Sequence, residues 1–222
     1  MAYFPDKFVE KPEPLERAIG DKGDLALARL ENRGFTVATG LTRYFAGAIG
    51  IMAQQQHIIE FCPKDATAER FMTEATTERF LASKGGLAMF LLLSQVIENA
   101  DALSGRLEGY AWAEYSPCDE LPNNPIASIY RIGANAKGKG IAKDFVQTVV
   151  SATHTLFAPN EGIGLQVWRS NFAVRIYEEI GFTHQPSNNT QPQYRPTLDP
   201  NAENGLMQDT RLFMAYDPSL HD

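Results

Sequence analysis

The sequence contains little of what marks secreted, metal-binding or membrane-spanning chains. Its 222 residues include only two cysteines, Cys62 and Cys118, and their separation fits neither a metal site nor a disulfide framework. The longest apolar run, residues 87–93, is far too short to cross a bilayer, and the polar residues 1–14 contain no signal peptide. We therefore expect a reduced, cytoplasmic protein without a metal site and without a membrane partner.

An excess of positive charge is also missing. The chain has 20 Lys and Arg against 27 Asp and Glu, which gives a formal net charge of −7 at pH 7. Bulk binding to nucleic acid or to an anionic membrane relies on net positive charge, so neither is an expected partner. Internal repeats are absent, and a hydrophobic content of 44% is enough for the core of one large domain, with or without extensions.

Residues 126–157 carry the strongest local pattern in the chain. Residues 126–132 are β-branched and aromatic, which predicts a buried strand. Residues 141–157 repeat apolar side chains at helical spacing, which predicts an amphipathic helix. Between them, residues 133–140 are small apart from two lysines. The predicted order is therefore strand, glycine-rich turn and helix.

The turn between this strand and this helix has the composition of an anion-binding site. The first turn of a helix leaves backbone N–H groups unpaired and carries partial positive charge, so an anion can bind there. Gly138 and Gly140 allow a ligand to approach the backbone closely, and Lys137 and Lys139 add full charges. The sequence therefore predicts a phosphate or pyrophosphate site at this turn.

Three known phosphate-binding patterns fit the turn to different degrees. The dinucleotide fingerprint fails, because Lys143 stands where that pattern needs a small residue. The P-loop pattern is met by Gly133, Gly138 and Lys139, but Gly140 replaces the Ser or Thr that would bind magnesium. The third pattern, Arg/Gln-x-x-Gly-x-Gly/Ala, is met except for a lysine at its first position.

That third pattern belongs to the GNAT superfamily of N-acetyltransferases, which residues 137–142 resemble. A second segment resembles another GNAT signature, Asn-x-x-Ala followed by a Tyr four residues after the Ala. We assign it to Asn171, Ala173 and Tyr177, with Ser170 or Asn171 as the cap of the helix. Each segment alone also fits an ordinary glycine turn or an ordinary amphipathic helix. Together and in this order, they favour the family.

The resemblance implies an α/β fold of the layered α+β type, in which helices flank a mixed central sheet with splayed central strands. The expected GNAT domain covers residues 56–222, and residues 1–55 form an N-terminal extension with a helical pattern at residues 24–32. Residues 183–208 have weak periodicity, and a functional loop and disorder are competing interpretations of them. The elements predicted in the GNAT region are strands at residues 56–62, 87–93, 108–116, 126–132, 163–168 and 209–216, a hairpin at 94–107, and helices at 67–72, 76–82, 141–157 and beyond residue 171.

The family's activity implies acetyl-CoA as a co-substrate, and its signatures imply where that molecule would bind. The pyrophosphate would lie on the glycine-rich turn, and the pantetheine arm would lie along the splayed central strand. A strand N–H group near Ile132 would polarise the thioester carbonyl. The implied cofactor-binding residues are Ile132, Gly133 and Ala134 of the strand, Lys137, Gly138, Lys139, Gly140, Ile141 and Ala142 of the turn, and Asn171.

The implied reaction moves an acetyl group from acetyl-CoA to a primary amine, on a small molecule or a peptide. Tyr177 stands in the place of the acid that protonates the leaving thiolate. The histone-acetylating branch has a Glu early in the central strand, but residues 126–128 contain no carboxylate, so Glu114 of the preceding strand is the candidate base. The structural alternatives are a core aromatic for Tyr177 and an exposed strand carboxylate for Glu114. A homodimer is compatible with the sequence.

Two other functions stay open on the sequence alone. A GNAT-fold protein that binds acyl-CoA without catalysis, as a sensor or an interaction module, would account for the missing strand carboxylate. A P-loop nucleotide hydrolase would use the same turn, although the missing Ser or Thr disfavours it. Titration with CoA, acetyl-CoA and ATP, together with acetyl transfer to a panel of amines, distinguishes the three.

Overall fold

A computed structural model of the protein describes residues 13–17, 19–40, 87–99, 102–115, 127–134, 140–157, 162–186, 193–196 and 206–217. The strand predicted at residues 56–62 and the helices predicted at residues 67–72 and 76–82 lie outside the described residues. Lys137, Gly138 and Lys139 of the predicted phosphate site also lie outside them.

Eight of the described strands form one mixed sheet. Its order is β1-β2-β3-β4-β5-β6-β10-β7, and the other two strands, β8 and β9, form a separate antiparallel ribbon. Among the described strands only β5 and β6 run parallel, so the one parallel pair lies inside an otherwise antiparallel sheet. The strands are Glu13–Pro14 (β1), Phe35–Thr39 (β2), Leu87–Asn99 (β3), Ala102–Tyr115 (β4), Ala127–Ala134 (β5), Ile163–Trp168 (β6), Thr183–Gln185 (β7), Gln193–Pro196 (β8), Leu206–Asp209 (β9) and Arg211–Tyr216 (β10).

Three helices are described, and the longest of them covers the middle of the sheet. They are Asp21–Glu31 (α1), Ile141–Phe157 (α2) and Ala173–Ile180 (α3). The apolar face of α2 buries Phe145 and Val149 completely. Gly109 of β4 makes this packing close, because a Cβ there would lie 3.3 Å from the Phe145 ring and 3.0 Å from the Gly133 carbonyl oxygen. None of the described helices is both long enough and apolar enough to cross a membrane.

Helix α1 packs along α2 through small side chains, and a half-buried ion pair links the two helices. A Cβ built on Gly23 would lie only 2.5 Å from the Ser151 Cβ, so the two helix backbones approach each other closely. The guanidinium groups of Arg29, in the last turn of α1, and Arg33, in the turn after it, both bind the buried carboxylate of Asp144 on α2. The contact therefore combines close backbone packing with a charged link.

Part of the N-terminal segment belongs to the main sheet and its core. β2 pairs antiparallel with β3, and β1 pairs antiparallel with β2. The helix predicted at residues 24–32 is present and begins earlier, at Asp21. The division into residues 1–55 and 56–222 stays a prediction, but residues 13–40 are not separate from the sheet.

The other predicted elements that fall on described residues are largely present. The helix at 141–157 and the strand at 163–168 have the predicted bounds. β3 and β4 are longer than predicted and pair with each other along nearly their whole length, so the expected hairpin is part of the sheet.

Residues 183–208 are not one irregular segment, because β7, β8 and most of β9 lie within them. The strand predicted at 209–216 is interrupted at Thr210, whose N–H group donates to the Asp209 side chain at 2.8 Å. This local hydrogen bond takes the place of a strand-ladder bond. β9 therefore ends at Asp209, and β10 begins at Arg211.

The close approach of α1 and α2 predicts that Gly23→Ala is destabilising. An exposed Gly→Ala change inside a helix normally stabilises by about 1 kcal/mol. Here the added methyl group overlaps Ser151, so we expect urea unfolding to show a net loss of about 1–3 kcal/mol. Ser151→Gly in the same chain should relieve part of that loss, which a double-mutant cycle measures. A gain in stability for Gly23→Ala alone would contradict the packing.

Candidate functional site

The two parallel strands of the sheet part after a short pairing. Residues 127–129 of β5 pair with residues 163–165 of β6. Beyond this segment β5 continues beside β4 as far as Ala134, whereas β6 continues beside β10 as far as Trp168. A gap therefore opens between two strands that lie next to each other in the sheet, as the splay predicted from the sequence requires.

The open part of β5 contains Ile132, Gly133 and Ala134, the residues expected to contact the cofactor arm. All three are half-buried, and all three pair with β4 on the other edge of the strand. Alternate residues of a strand direct their N–H and C=O groups to opposite edges, so some backbone groups of residues 130–134 face the gap. The register with β4 shifts at the same level, and such bulges change where backbone groups point.

Helix α2 begins with backbone donors that have no partner inside the helix. Gly140 has φ +74°, in the left-handed region, and its carbonyl accepts the Asp144 N–H at 2.9 Å. The N–H groups of Ile141, Ala142 and Lys143 precede this first helical hydrogen bond and so lack an intrahelical acceptor. The Ile141 side chain is buried, so its contribution to a ligand would come from the backbone.

The beginning of α2 lies near the end of β5 that borders the gap, because the Gly133 carbonyl oxygen and the Phe145 ring lie 3.0 and 3.3 Å from the same Cβ built on Gly109. β5 leaves the paired segment at residues 127–129, ends at Ala134, and is followed by α2 from Ile141 onwards. A helix N-terminus attracts negative charge through its dipole and its unpaired N–H groups. An elongated ligand lying in the gap would therefore meet an anion-binding helix end at the carboxyl end of β5.

Asn171 lies in the turn between β6 and α3, one residue before Phe172, the N-cap of α3. Its side-chain Oδ1 accepts the Ala173 N–H at 2.9 Å, so only the amide nitrogen is left to donate to a ligand. Asn171, which stands two residues before Ala173, does not occupy the asparagine position of the second signature. Ser170, not Asn171, stands three residues before Ala173, where Asn-x-x-Ala has its asparagine. The Ser170 hydroxyl donates to the Asp209 carboxylate at 2.5 Å.

Tyr177 lies inside the core, on the buried face of α3. Its side chain is 6% exposed, and its ring packs edge-on against Phe182 with 5.8 Å between ring centroids. Phe182 in turn contacts Tyr216 at 5.5 Å. Burial raises the pKa of the Tyr177 phenol, so the hydroxyl keeps its proton throughout the neutral range. A proton donor and a packing residue would both fit this position.

Glu114 lies on β4 beside the closed end of the gap. It pairs with Ser128 of β5, which in turn pairs with Gly164 of β6. The gap therefore opens just beyond the level of Glu114, and its role as a base stays a prediction. Among the described residues, no group of three or more His, Cys, Asp and Glu is arranged to hold a metal ion.

Known proteins match this chain in structure. No protein-family model and no curated protein matches the sequence. Spermidine N-acetyltransferase from Vibrio cholerae in complex with CoA and spermine is 18% identical, with a TM-score of 0.55 over 85% of this chain and 98% of that chain. A dodecameric structure of the V. cholerae enzyme is 19% identical, with a TM-score of 0.54 over 85% of this chain and 96% of that chain. The Salmonella typhimurium protein yncA, solved with its cofactor acetyl-CoA, is 14% identical, with a TM-score of 0.53 over 83% of this chain and 94% of that chain.

These likenesses extend over nearly all of each neighbour. The chain has the GNAT acyltransferase fold. This confirms the predicted fold class, with its mixed sheet and its flanking helices. The GNAT fold also leaves no basis for the P-loop hydrolase that the glycine-rich turn had kept open.

The GNAT signatures did not point to the ion pair that ties α1 to α2. Asp144 is 5% exposed, and its partners Arg29 and Arg33 precede it by 115 and 111 residues. An Asp in the first turn of a helix is ordinary, and two arginines one helical turn apart are usually surface residues. The ion pair forms only because the fold brings residues more than 100 positions apart into contact, so a local sequence pattern could not have predicted it.

The cap at the start of α3 predicts a stability difference between two substitutions of Asn171. Asn171→Ala removes the acceptor of the Ala173 N–H, and urea unfolding should show a loss of about 1 kcal/mol. Asn171→Asp keeps a side-chain oxygen in the same place and should remain within about 0.5 kcal/mol of the parent. Equal losses for the two variants would show that the side-chain oxygen does not cap the helix.

Proposed function

We propose that this GNAT-fold protein transfers an acetyl group from acetyl-CoA to a primary amine. The observation that carries the proposal is the gap between β5 and β6 with the start of α2 at its open end. The gap offers strand backbone groups to an extended arm, and the helix start offers N–H groups to a pyrophosphate. The V. cholerae neighbour was solved with CoA and spermine, and yncA with acetyl-CoA, which supports both substrates.

The cofactor would be held mainly by backbone donors of this chain. Ile132, Gly133 and Ala134 line the open edge of β5, where the pantetheine arm would form strand-like hydrogen bonds. Gly140, Ile141 and Ala142 would direct N–H groups to the pyrophosphate, and Lys137, Gly138 and Lys139 would complete the turn. The amide nitrogen of Asn171 would donate to the cofactor arm, and Ser170, at the signature position, is a further polar group beside it.

The proposed reaction makes a C–N bond and breaks the thioester C–S bond. The amine nitrogen attacks the thioester carbonyl carbon, and an N–H group of β5 near Ile132 stabilises the negative charge on the oxygen. Tyr177 gives its proton to the departing sulfur, which leaves as a thiol. A lysine-like amine with a pKa of about 10.4 is mostly protonated at neutral pH, so Glu114 first accepts one proton from it and frees the lone pair that attacks. The nitrogen loses a second proton as the C–N bond forms, and that proton restores the Tyr177 hydroxyl.

The acceptor would be a small-molecule or peptide amine, and the protein would act in the cytoplasm as an oligomer. The formal net charge of −7 favours a cationic acceptor over an anionic one, because the field of an acidic protein attracts cations. The dodecameric V. cholerae structure supports an oligomer, and a homodimer is the simplest form of one.

Gly140→Val tests the helix start as the pyrophosphate site. A Cβ built on Gly140 meets no atom of the described residues within 4 Å, chain neighbours apart, and a side chain there would project where the ligand approaches. We expect calorimetry to show CoA affinity reduced by at least about tenfold, a difference of about 1.4 kcal/mol.

Gly20→Val is the matched control for this change. Gly20 also has positive φ, +88°, a Cβ added to it would meet no described atom within 4 Å, and its carbonyl accepts the Asp24 N–H at the start of α1 as the Gly140 carbonyl accepts the Asp144 N–H. Both variants carry the same backbone strain of about 1–3 kcal/mol, so both should lose similar stability. CoA affinity equal to that of the parent in Gly140→Val would place the pyrophosphate elsewhere.

Tyr177→Phe tests the proton donor, because it removes the hydroxyl and keeps the ring. We expect kcat to fall by about 10²-fold, the lower end for general acid–base catalysis, with acetyl-CoA affinity nearly unchanged. Burial raises the pKa of Tyr177, so its hydroxyl stays protonated at least up to a pH of about 10, the ordinary tyrosine pKa. Below that pH, the kcat of the parent should show no decline from deprotonation of Tyr177.

Tyr216→Phe is the control, because Tyr216 is equally buried and belongs to the same aromatic cluster. It should leave kcat within about twofold of the parent, a change too small for loss of a catalytic acid. Parental kcat in Tyr177→Phe, measured where chemistry limits the rate, would remove Tyr177 from the mechanism.

A further inference from the structure

Asp144 is anchored at both its backbone and its side chain. Its N–H group donates to the Gly140 carbonyl at 2.9 Å and so closes the first turn of α2. Its carboxylate lies 2.6 Å from an Arg29 nitrogen and 3.0 Å from an Arg33 nitrogen. Its carbonyl accepts the Thr148 hydroxyl at 2.9 Å. A residue fixed in this way leaves the first turn of the helix little freedom to shift.

The side-chain anchor comes from outside the segment that carries the GNAT signatures. Asp144 is 5% exposed, and a carboxylate removed from water needs charged partners or a full set of hydrogen bonds. Arg29 of α1 and Arg33 of the turn between α1 and β2 supply those partners. The forked guanidinium group suits this task, since it donates to a carboxylate in a fixed geometry. α1 and the turn after it thereby hold the residue that closes the start of α2.

We propose that Asp144 is a positioning residue for the coenzyme A site, held in place by Arg29 and Arg33. It fixes the first turn of α2 and with it the N–H groups of Ile141 and Ala142 that face the pyrophosphate. Affinity depends on such donors being fixed before the ligand arrives, because ordering them on binding costs free energy. This inference rests on the proposed function, which assigns those N–H groups to coenzyme A.

A purely structural role for Asp144 makes a different prediction. Breaking the ion pair would then lower the stability of the whole chain and leave the folded fraction with parental affinity. A positioning role lowers the affinity of the folded protein itself. It also raises KM for acetyl-CoA while kcat and KM for the amine stay close to the parental values, because the reacting groups lie on other elements.

Asp144→Asn is the test, because it keeps the shape of the side chain and removes its charge. CoA affinity is measured by calorimetry at a temperature where circular dichroism shows every variant fully folded. We expect Asp144→Asn to bind CoA about tenfold more weakly, since fixed donors that shift even slightly lose affinity. Arg33→Gln keeps the Arg29 contact and should show a smaller loss, and it replaces Asp144→Asn if that variant does not fold.

Glu31→Gln is the matched control, since it breaks the exposed ion pair between Glu31 of the same helix and Arg17. It should leave CoA affinity within about twofold of the parent, as expected for an exposed pair. A folded Asp144→Asn that binds CoA as the parent does would overturn the inference.

Amide hydrogen exchange tests the positioning without any ligand, and so separates its failure from a failure of the proposed function. The Asp144 amide, which is hydrogen-bonded to the Gly140 carbonyl, and the helical amide of Phe145 after it should exchange at least about fivefold faster in Asp144→Asn than in the parent, because local opening governs exchange. Unchanged exchange there would contradict the inference even if the parent bound no CoA. Absence of CoA binding by the parent would instead contradict the proposed function.

Discussion

The parting of β5 from β6 is the constraint on which the rest of the structure depends. Neighbouring strands normally satisfy each other's backbone groups, and here the ladder stops after Ile129 and Leu165. The gap is tolerated because β5 remains paired with β4 and β6 remains paired with β10. Two antiparallel ladders therefore hold the strands apart, and the groups left between them are available to an extended ligand.

The start of α2 gives this gap a direction. Its unpaired N–H groups lie at the carboxyl end of β5, so the open end favours negative charge and the closed end is lined by paired strands. Gly109 lets Phe145 of α2 pack closely on the sheet, and Asp144 ties the helix to α1. Segments far apart in sequence thus fix the same helix end, which is the part of the site that most needs a fixed geometry.

Local periodicity was enough to predict the elements that are long or strongly patterned. The bounds of α2 and β6 followed from apolar spacing, and the splay followed from the resemblance of residues 137–142 to a family signature. Short strands such as β8 and β9 escaped prediction, because their stability comes from pairing with each other rather than from their own composition. The same limit applies to the pairing of β2 with β3 and to the link between Asp144 and α1, which are both long-range contacts.

The central claim is that the gap and the helix end form a site for coenzyme A, and an isothermal titration of the parent protein tests it most directly. We expect saturable heat with CoA and with acetyl-CoA, at one site per chain. ATP, which has phosphates and an adenine but no pantetheine arm to lie along β5, should bind at least about tenfold more weakly. Binding of ATP as tight as that of CoA, or no heat with either CoA species, would contradict the account.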